Sequence, residues 1–283
     1  MLHLREPDHM REWSRSQRHS GSTIALVPTM GALHEGHLSL VTLAAEHADR
    51  VVVSIFVNPA QFGEGEDLAS YPRDRERDVR LLSDLPVDAL FLPGKSGMYP
   101  EGYSTWIEET SISRSWEGAA RPDHFRGVAT IVTRLLLIVQ PDLLILGQKD
   151  AQQVAVVRKM MSDLFIPAEI VTGPTVRESD GLALSSRNVY LSQDERVQAV
   201  CLSEALAEAR RLVSGGEGDP AVVLQKMRER VGQEPDAHLD YVAALDPLTF
   251  DPVDTLTGNI LFCLAVHLGG IRLIDNDIMD AGA

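Results

Sequence analysis

Two cysteines stand among the 283 residues, Cys201 and Cys263, with no Cys-x-x-Cys spacing. That excludes a disulfide framework and a cysteine-based zinc site, and two isolated thiols suit a reducing compartment. Long apolar runs are also lacking. The longest, Ile260 to Val266, falls far short of the ~20 residues that span a bilayer. The opening Met1-Leu2-His3-Leu4-Arg5-Glu6-Pro7 has no apolar core of a secretion signal. The expected location is therefore the cytoplasm, with no membrane partner. Basic charge is in deficit: the formal net charge is −15, which argues against a nucleic-acid partner while leaving room for one cationic pocket. There is no Walker A run, no Gly-x-Ser-x-Gly elbow and no His-Glu-x-x-His pair. No internal repeat or low-complexity tract occurs either.

What is present begins at Thr23. Thr23-Ile24-Ala25-Leu26-Val27 reads as a buried strand, and from Gly36 the residues Leu38, Val41, Ala44, Ala45 and Ala48 recur at helical spacing. Arg50 to Val57 is a second buried strand. Strand, turn, helix and strand make a βαβ unit, which yields a parallel sheet. The turn between them, Met30-Gly31-Ala32-Leu33-His34-Glu35-Gly36-His37, thus sits where a strand's carboxyl end meets a helix N-terminus, a place suited to phosphate. By itself the histidine pair reads equally as capping polarity.

Further along, Asp74 to Leu85 reads as an amphipathic helix, 89–93 as a strand, and Val128 to Val139 as an apolar helix. Pro141 to Leu146 is another buried strand, followed by a helix through Met161 and a strand at 168–171. This second strand–turn–helix–strand run predicts an α/β, Rossmann-like, doubly wound parallel sheet over 1–175, with ligands at its carboxyl edge. Composition shifts after Gly173-Pro174. A helix over 194–212, a Gly-rich linker, a helix over 221–231 and strands near 239–245, 260–267 and 271–274 predict a smaller C-terminal α+β domain over 176–283.

Two more clusters carry chemistry. Gly147-Gln148-Lys149-Asp150 puts a cation and a carboxylate in a strand-to-helix turn: a solvated cap, or a phosphate and ribose contact. Leu184-Ser185-Ser186-Arg187 offers two hydroxyls and a guanidinium: a capped surface turn, or a phosphate grip. Asn58-Pro59-Ala60-Gln61-Phe62 leaves a strand end at the edge of the histidine turn and is a candidate binding loop.

The order of these clusters resembles that of adenylate-forming enzymes of the nucleotidylyltransferase superfamily. The flanks narrow the resemblance. Val27-Pro28-Thr29-Met30-Gly31, Phe56 to Phe62, Tyr71-Pro72-Arg73, Glu117 to Val128, Gly181 to Asn188 and Arg272-Leu273-Ile274-Asp275-Asn276 are similar to the pantothenate synthetase (pantoate–β-alanine ligase) family, from about residue 24 to 278. One departure is Gln148, where that family usually has Glu.

The resemblance implies condensation of pantoate with β-alanine through a pantoyl adenylate, consuming ATP with Mg²⁺ and needing no organic prosthetic group. It implies that Met30 to His37 lines the nucleotide, with His37 as proton donor and His34 assisting at the phosphates. Gln61 and Gln153 would hold pantoate, and Gln61 would border β-alanine. Gly147, Gln148, Lys149, Asp150, Val176, Leu184, Ser185, Ser186 and Arg187 would bind ATP, with Lys149 also catalytic. Arg121, His124 and Arg126 are further candidates at the substrate edge, and Asp78 at the magnesium, whose ligands are otherwise unassigned. A homodimer, and a second domain that closes over ATP, are expected as well. Two rival readings are another nucleotidylyltransferase, which would need an extra cationic acceptor pocket, and a non-catalytic nucleotide-binding protein.

Overall fold

The computed structural model describes residues 1–282. Its strands are β1 (Leu2–Leu4), β2 (Ile24–Thr29), β3 (Arg50–Ile55), β4 (Ala89–Phe91), β5 (Leu143–Gly147), β6 (Glu169–Gly173), β7 (Ala237–Leu245), β8 (Asn259–Leu268) and β9 (Ile271–Asp280). Its helices are α1 (Pro7–His19), α2 (Glu35–His47), α3 (Arg75–Ser83), the single turns α4 (Lys95–Met98) and α5 (Glu117–Ala120), α6 (His124–Val139), α7 (Ala151–Asp163), α8 (Gln193–Gln198), α9 (Cys201–Ser214) and α10 (Pro220–Val231).

The chain divides into two compact units, Met1–Gly147 with Gln152–Pro174, and Gln148–Ala151 with Thr175–Ala283. Gln148 to Ala151, expected with the first domain, pack with the second unit.

In the first unit six strands run parallel in the order β1-β4-β3-β2-β5-β6. Their alternation dictates which side chains face which helices. Ile24, Leu26, Val52, Phe91, Leu144 and Leu146 pack in one core with Met10 of α1, the apolar stripe of α6, and Val157 and Met160 of α7. Ala25, Val27, Val51, Val53, Leu90 and Ile145 pack in the other core with Val41 and Ala44 of α2 and Leu82 of α3. Helices thus cover both sheet faces, and the doubly wound sheet expected from the sequence is present. After β2 the chain builds outward through β3 and β4, then returns to add β5 on the opposite side. The order reverses between β2 and β5, which is where open α/β sheets bind ligands.

In the second unit β7, β8 and β9 form an antiparallel sheet. Val242, Phe262, Leu264, Val266 and Leu273 pack against Leu202, Leu206, Val223 and Met227 of α9 and α10.

Some elements differ from the sequence expectation. β1 is too short to show a period. The helix expected over 194–212 is two helices, parted at Ala199 and Val200. β9 runs to Asp280, well past 274, because its polar residues Asp275 and Asn276 are buried and paired and so leave no apolar alternation to read.

One close approach ties α6 to the candidate site. A Cβ on Gly127 would lie 2.3 Å from the Ala60 carbonyl oxygen and 2.6 Å from Gln61 Cα. Backbone cannot give way as a side chain can. Gly127→Ala is therefore expected to destabilise the protein by about 1–3 kcal/mol, which urea unfolding checks.

Candidate functional site

β2 ends at Thr29, and the next residues turn sharply into α2. Gly31 (φ +83°) and Ala32 (φ +51°) are both left-handed. For a non-glycine residue that conformation is costly unless something holds it. Asp78, on α3 and 1% exposed, does so. Its Oδ2 accepts the Ala32 N–H at 3.0 Å and its Oδ1 accepts the Leu33 N–H at 2.8 Å. The adjoining Arg77 donates through Nη1 to the Leu33 carbonyl at 2.8 Å. The magnesium candidate of the sequence reading is thus the anchor of the histidine turn, with both oxygens committed to backbone. Glycine at 31 is also required by space, since a Cβ there would sit 2.9 Å from Asp78 Oδ2.

With the turn so held, His34 becomes the N-cap of α2 and His37 its third residue. Their rings lie 4.1 Å apart between centroids. The His34 N–H donates to His37 Nδ1 at 3.3 Å. An Nδ1 that accepts leaves the ring proton on Nε2, which is the tautomer for a hydrogen-bond donor on the far side of the ring. The positive end of the α2 dipole adds to the anion preference there.

Gln61 sits beside this turn. Its Nε2 donates toward the Met30 Sδ at 3.2 Å, and its Oε1 accepts from Asn58 Nδ2 at 3.0 Å. The Gln61 carbonyl is in turn held by Arg121 Nη2 at 3.2 Å and His124 Nδ1 at 3.0 Å. Arg121 also forms a two-pronged pair with Glu66, at 2.9 and 2.5 Å. Burial pushes the Glu66 carboxyl up, but the bonds and charge of Arg121, helped by His124 and the Gly63 N–H, hold it below the ordinary range. The pair's contribution to stability is therefore full above the usual carboxylate pKa and is lost as pH falls through the lowered value of the folded protein. Arg126, the third substrate-edge candidate, instead stacks over Trp106 at 5.0 Å and pairs with Asp123. Gln153 is half-buried in the first turn of α7.

Gly147 ends β5 in the first unit; the other candidates lie in the second unit and are organised around neighbouring residues of β9. Arg177 makes a two-pronged pair with buried Asp275, at 2.6 and 3.0 Å, and bonds the Gly181 carbonyl at 3.1 Å. Leu184 N–H donates to the Val176 carbonyl at 3.0 Å, closing the loop that carries Ser185, Ser186 and Arg187. The Ser185 hydroxyl accepts the Arg187 N–H and so starts the 186–190 turn. Asn276, next to Asp275, donates through Nδ2 to the carbonyls of Gln148 and Lys149 at 3.1 and 2.8 Å. The lysine turn and the Ser-Ser-Arg loop are thereby fixed to one short piece of strand. Lys149 Nζ lies 3.9 Å from Asp150 Oδ1.

Asn276 also explains Gln148. Two backbone carbonyls can only accept, so Asn276 must present Nδ2 to them and Oδ1 elsewhere. Gln148 Nε2 meets that Oδ1 at 2.9 Å. A glutamate here would set carboxylate against carbonyl. Asn276 is not a site candidate in the sequence, although it belongs to the Arg272 to Asn276 motif, and Asp78 is a candidate there only for the magnesium and not for holding the turn.

A family model described as pantoate-beta-alanine ligase matches residues 3–278. The chain is 54% identical over 271 residues to a pantothenate synthetase of Heliobacterium modesticaldum, covering 96% of each. It is 51% identical over 260 residues to one of Syntrophotalea carbinolica, covering 92% of each. Among solved structures, pantoate-beta-alanine ligase (pantothenate synthetase) of Thermus thermophilus is 44% identical, with TM-score 0.94 over 100% of both chains. A pantoate-beta-alanine ligase of Francisella tularensis, complexed with beta-gamma ATP and beta-alanine, is 34% identical, with TM-score 0.81 over 98% of this chain and 97% of that one.

Two variants test the anchors. Asp78→Asn turns an N–H donor toward one backbone N–H of the turn, at a cost of about 1–3 kcal/mol; the expected result is a roughly tenfold rise in the KM for ATP, read by nucleotide titration alongside thermal unfolding. Gln148→Glu forfeits one hydrogen bond worth about 0.5–1 kcal/mol, so the KM for ATP should rise about threefold with the KM for pantoate unchanged in the same assay.

Proposed function

The chain belongs to the pantoate–β-alanine ligase family, and from that premise we propose how its residues share the work. The reaction is the ATP-dependent condensation of pantoate with β-alanine to pantothenate. A carboxylate is a poor acyl donor at neutral pH. Pantoate therefore attacks the α-phosphate of ATP, releasing pyrophosphate, and the amine of β-alanine then displaces AMP from the pantoyl adenylate.

The observation that supports these roles best is the arrangement at Met30. There a phosphate-favouring helix start, carrying His34 and His37, adjoins an amide donor from Gln61. In this reading Met30 to His37 lines the nucleotide, and His37 donates through Nε2 to phosphate oxygen as negative charge builds on the departing pyrophosphate. His34 assists. Gln61 and Gln153 hold pantoate by neutral hydrogen bonds, and Gln61 borders β-alanine. In the second unit Lys149 supplies a point charge to the phosphates, Asp150 accepts from ribose hydroxyls, Val176 contacts the adenine side, and Leu184 to Arg187 grip the phosphate tail.

Magnesium is assigned to the substrate. Among the described residues no group of three or more His, Cys, Asp or Glu side chains is placed to hold a metal ion. A small hard cation that keeps its waters and rides on substrate phosphates needs no such cage. The family resemblance further supports a homodimer in the cytoplasm. Among the described residues no helix is long and apolar enough to cross a membrane.

The test is isotope exchange. Labelled pyrophosphate should enter ATP when pantoate and Mg²⁺ are present and β-alanine is absent, and should stop on chelation; His37→Ala should slow it at least a hundredfold. Exchange that ignores pantoate would overturn the adenylate route, and an unchanged rate in His37→Ala would overturn the histidine's role.

A further inference from the structure

Gln61 has an amide whose two ends look alike in size but not in chemistry, so the substrate it accepts depends on which end points outward. The network behind it decides this. Asn58, 1% exposed, lies at the end of β3 and uses every bond its amide can form. Its Nδ2 donates to the Gly127 carbonyl at 3.1 Å, and its Oδ1 accepts the Ala60 N–H at 3.3 Å. Neither backbone partner can exchange roles, so the orientation of the Asn58 amide is fixed.

Two consequences follow from that orientation. The second Asn58 N–H goes to Gln61 Oε1 at 3.0 Å, which turns Gln61 Nε2 outward to the Met30 side. The second lone pair of Asn58 Oδ1 takes the Tyr99 hydroxyl at 2.8 Å, so Tyr99 must donate. Burial and the neighbouring Tyr103 push the Tyr99 hydroxyl up to about 12, against the opposing pull of Arg134 and Asn58. Its proton is retained throughout the physiological range. Tyr99 is itself held rigid: it meets Tyr103 edge-on at 5.1 Å, stacks on Trp106 at 6.1 Å, and Arg134 lies over its ring at 5.9 Å.

We propose that Tyr99 is a positioning and specificity-determining residue, which through Asn58 reinforces the backbone-set orientation in which Gln61 presents N–H and not C=O to the substrate. All donors in the relay point one way, from Tyr99 O–H through Asn58 N–H to Gln61 N–H. Aligned hydrogen bonds polarise one another, so each strengthens the next. The thioether of Met30 is a weak acceptor that gives way to oxygen. The group that Gln61 selects is therefore an oxygen acceptor, a carboxylate or hydroxyl oxygen of the acid, and an ammonium or amide N–H there is refused. This rests on the assignment of Gln61 to the acid substrate.

Tyr99→Phe keeps the ring and its packing and removes the donor. It should raise the KM for pantoate about five- to tenfold, leave the KM for ATP within twofold and change kcat little. In a Gln61→Ala background the same substitution should add less than twofold, because its path to the substrate is gone. An unchanged pantoate KM, or an equal rise in both backgrounds, overturns the proposal. Asn58→Asp offers Gln61 only acceptors and should reverse its amide, raising the pantoate KM by more than Tyr99→Phe does. The polarity is also read without turnover, from the ¹⁵N-labelled side-chain amide of Gln61 in the full-length protein. Its resonances, assigned by loss in Gln61→Ala, should move in Tyr99→Phe and move further in Asn58→Asp; resonances that stay in place overturn the relay. If the wild-type enzyme gave no pantoate-dependent exchange, the substrate assignment would fail while the amide signals still decided the relay.

Discussion

Parallel strands impose the constraint on which the first unit depends. Each strand must be re-entered from the same end, so every chain reversal needs a crossover, and the strands' carboxyl ends gather along one edge. Building outward from β2 to β4 and then returning to β5 leaves a place where neighbouring crossovers diverge. Free N–H groups of a helix start collect there without further design. The histidine turn occupies that start, and Asn58 to Gln61 leaves the adjoining strand β3. Topology thus supplies the location, and side chains need only refine it.

Refinement is done by buried polar groups that bond fixed backbone partners. Asp78 spends both oxygens on a strained turn, Asn58 spends its whole amide, and Asn276 binds two carbonyls and Gln148. Each is shielded from water, so an unmet bond would cost about 1–3 kcal/mol. The penalty makes the alternatives expensive and the geometry singular. A left-handed pair such as Gly31 and Ala32 is tolerated because the Asp78 side chain accepts the N–H groups of Ala32 and Leu33. Backbone carbonyls and N–H groups are the fixed points from which amide polarity spreads outward to Gln61 and Gln148.

The fold was legible because burial writes itself into sequence. Val51, Val52 and Val53 are continuous hydrophobes flanked by turns, and β3 covers both faces of its sheet position. The clusters at His34, Gln61, Lys149 and Arg187 were also legible, since polar residues at strand ends break the apolar pattern. The supporting residues were not. Asp78, expected at the magnesium only through the family resemblance, sits in a charged helix where spacing does not distinguish it from Glu76; its 1% exposure and distant N–H partners reveal its hold on the turn. Tyr99 is 41 positions from Asn58, and Asn276 is 128 from Gln148. Pairings at such separation have no period to betray them. The split of the expected helix at Ala199 and the grouping of Gln148 to Ala151 with the second unit are likewise products of packing that spacing does not encode.

On the proposed division of labour, charge is placed where charge grows and withheld where it vanishes. A protein of net charge −15 must bind two anions, and cations at both would be the obvious solution. Yet the acid's carboxylate loses its charge as it attacks phosphorus. A lysine paired to it would stabilise the ground state more than the transition state and so slow the step. An amide N–H orients the same oxygen while giving up much less. The leaving pyrophosphate is the opposite case: its charge increases along the reaction, and there Lys149, Arg187 and the imidazole pair favour the transition state. Reversal of the Gln61 amide would forfeit this arrangement, because a carbonyl facing the nucleophile repels it before reaction begins. The Tyr99–Asn58 relay, with Asn58 buried and Tyr99 half-buried, is a means of excluding that alternative without placing a cation beside the attacking oxygen.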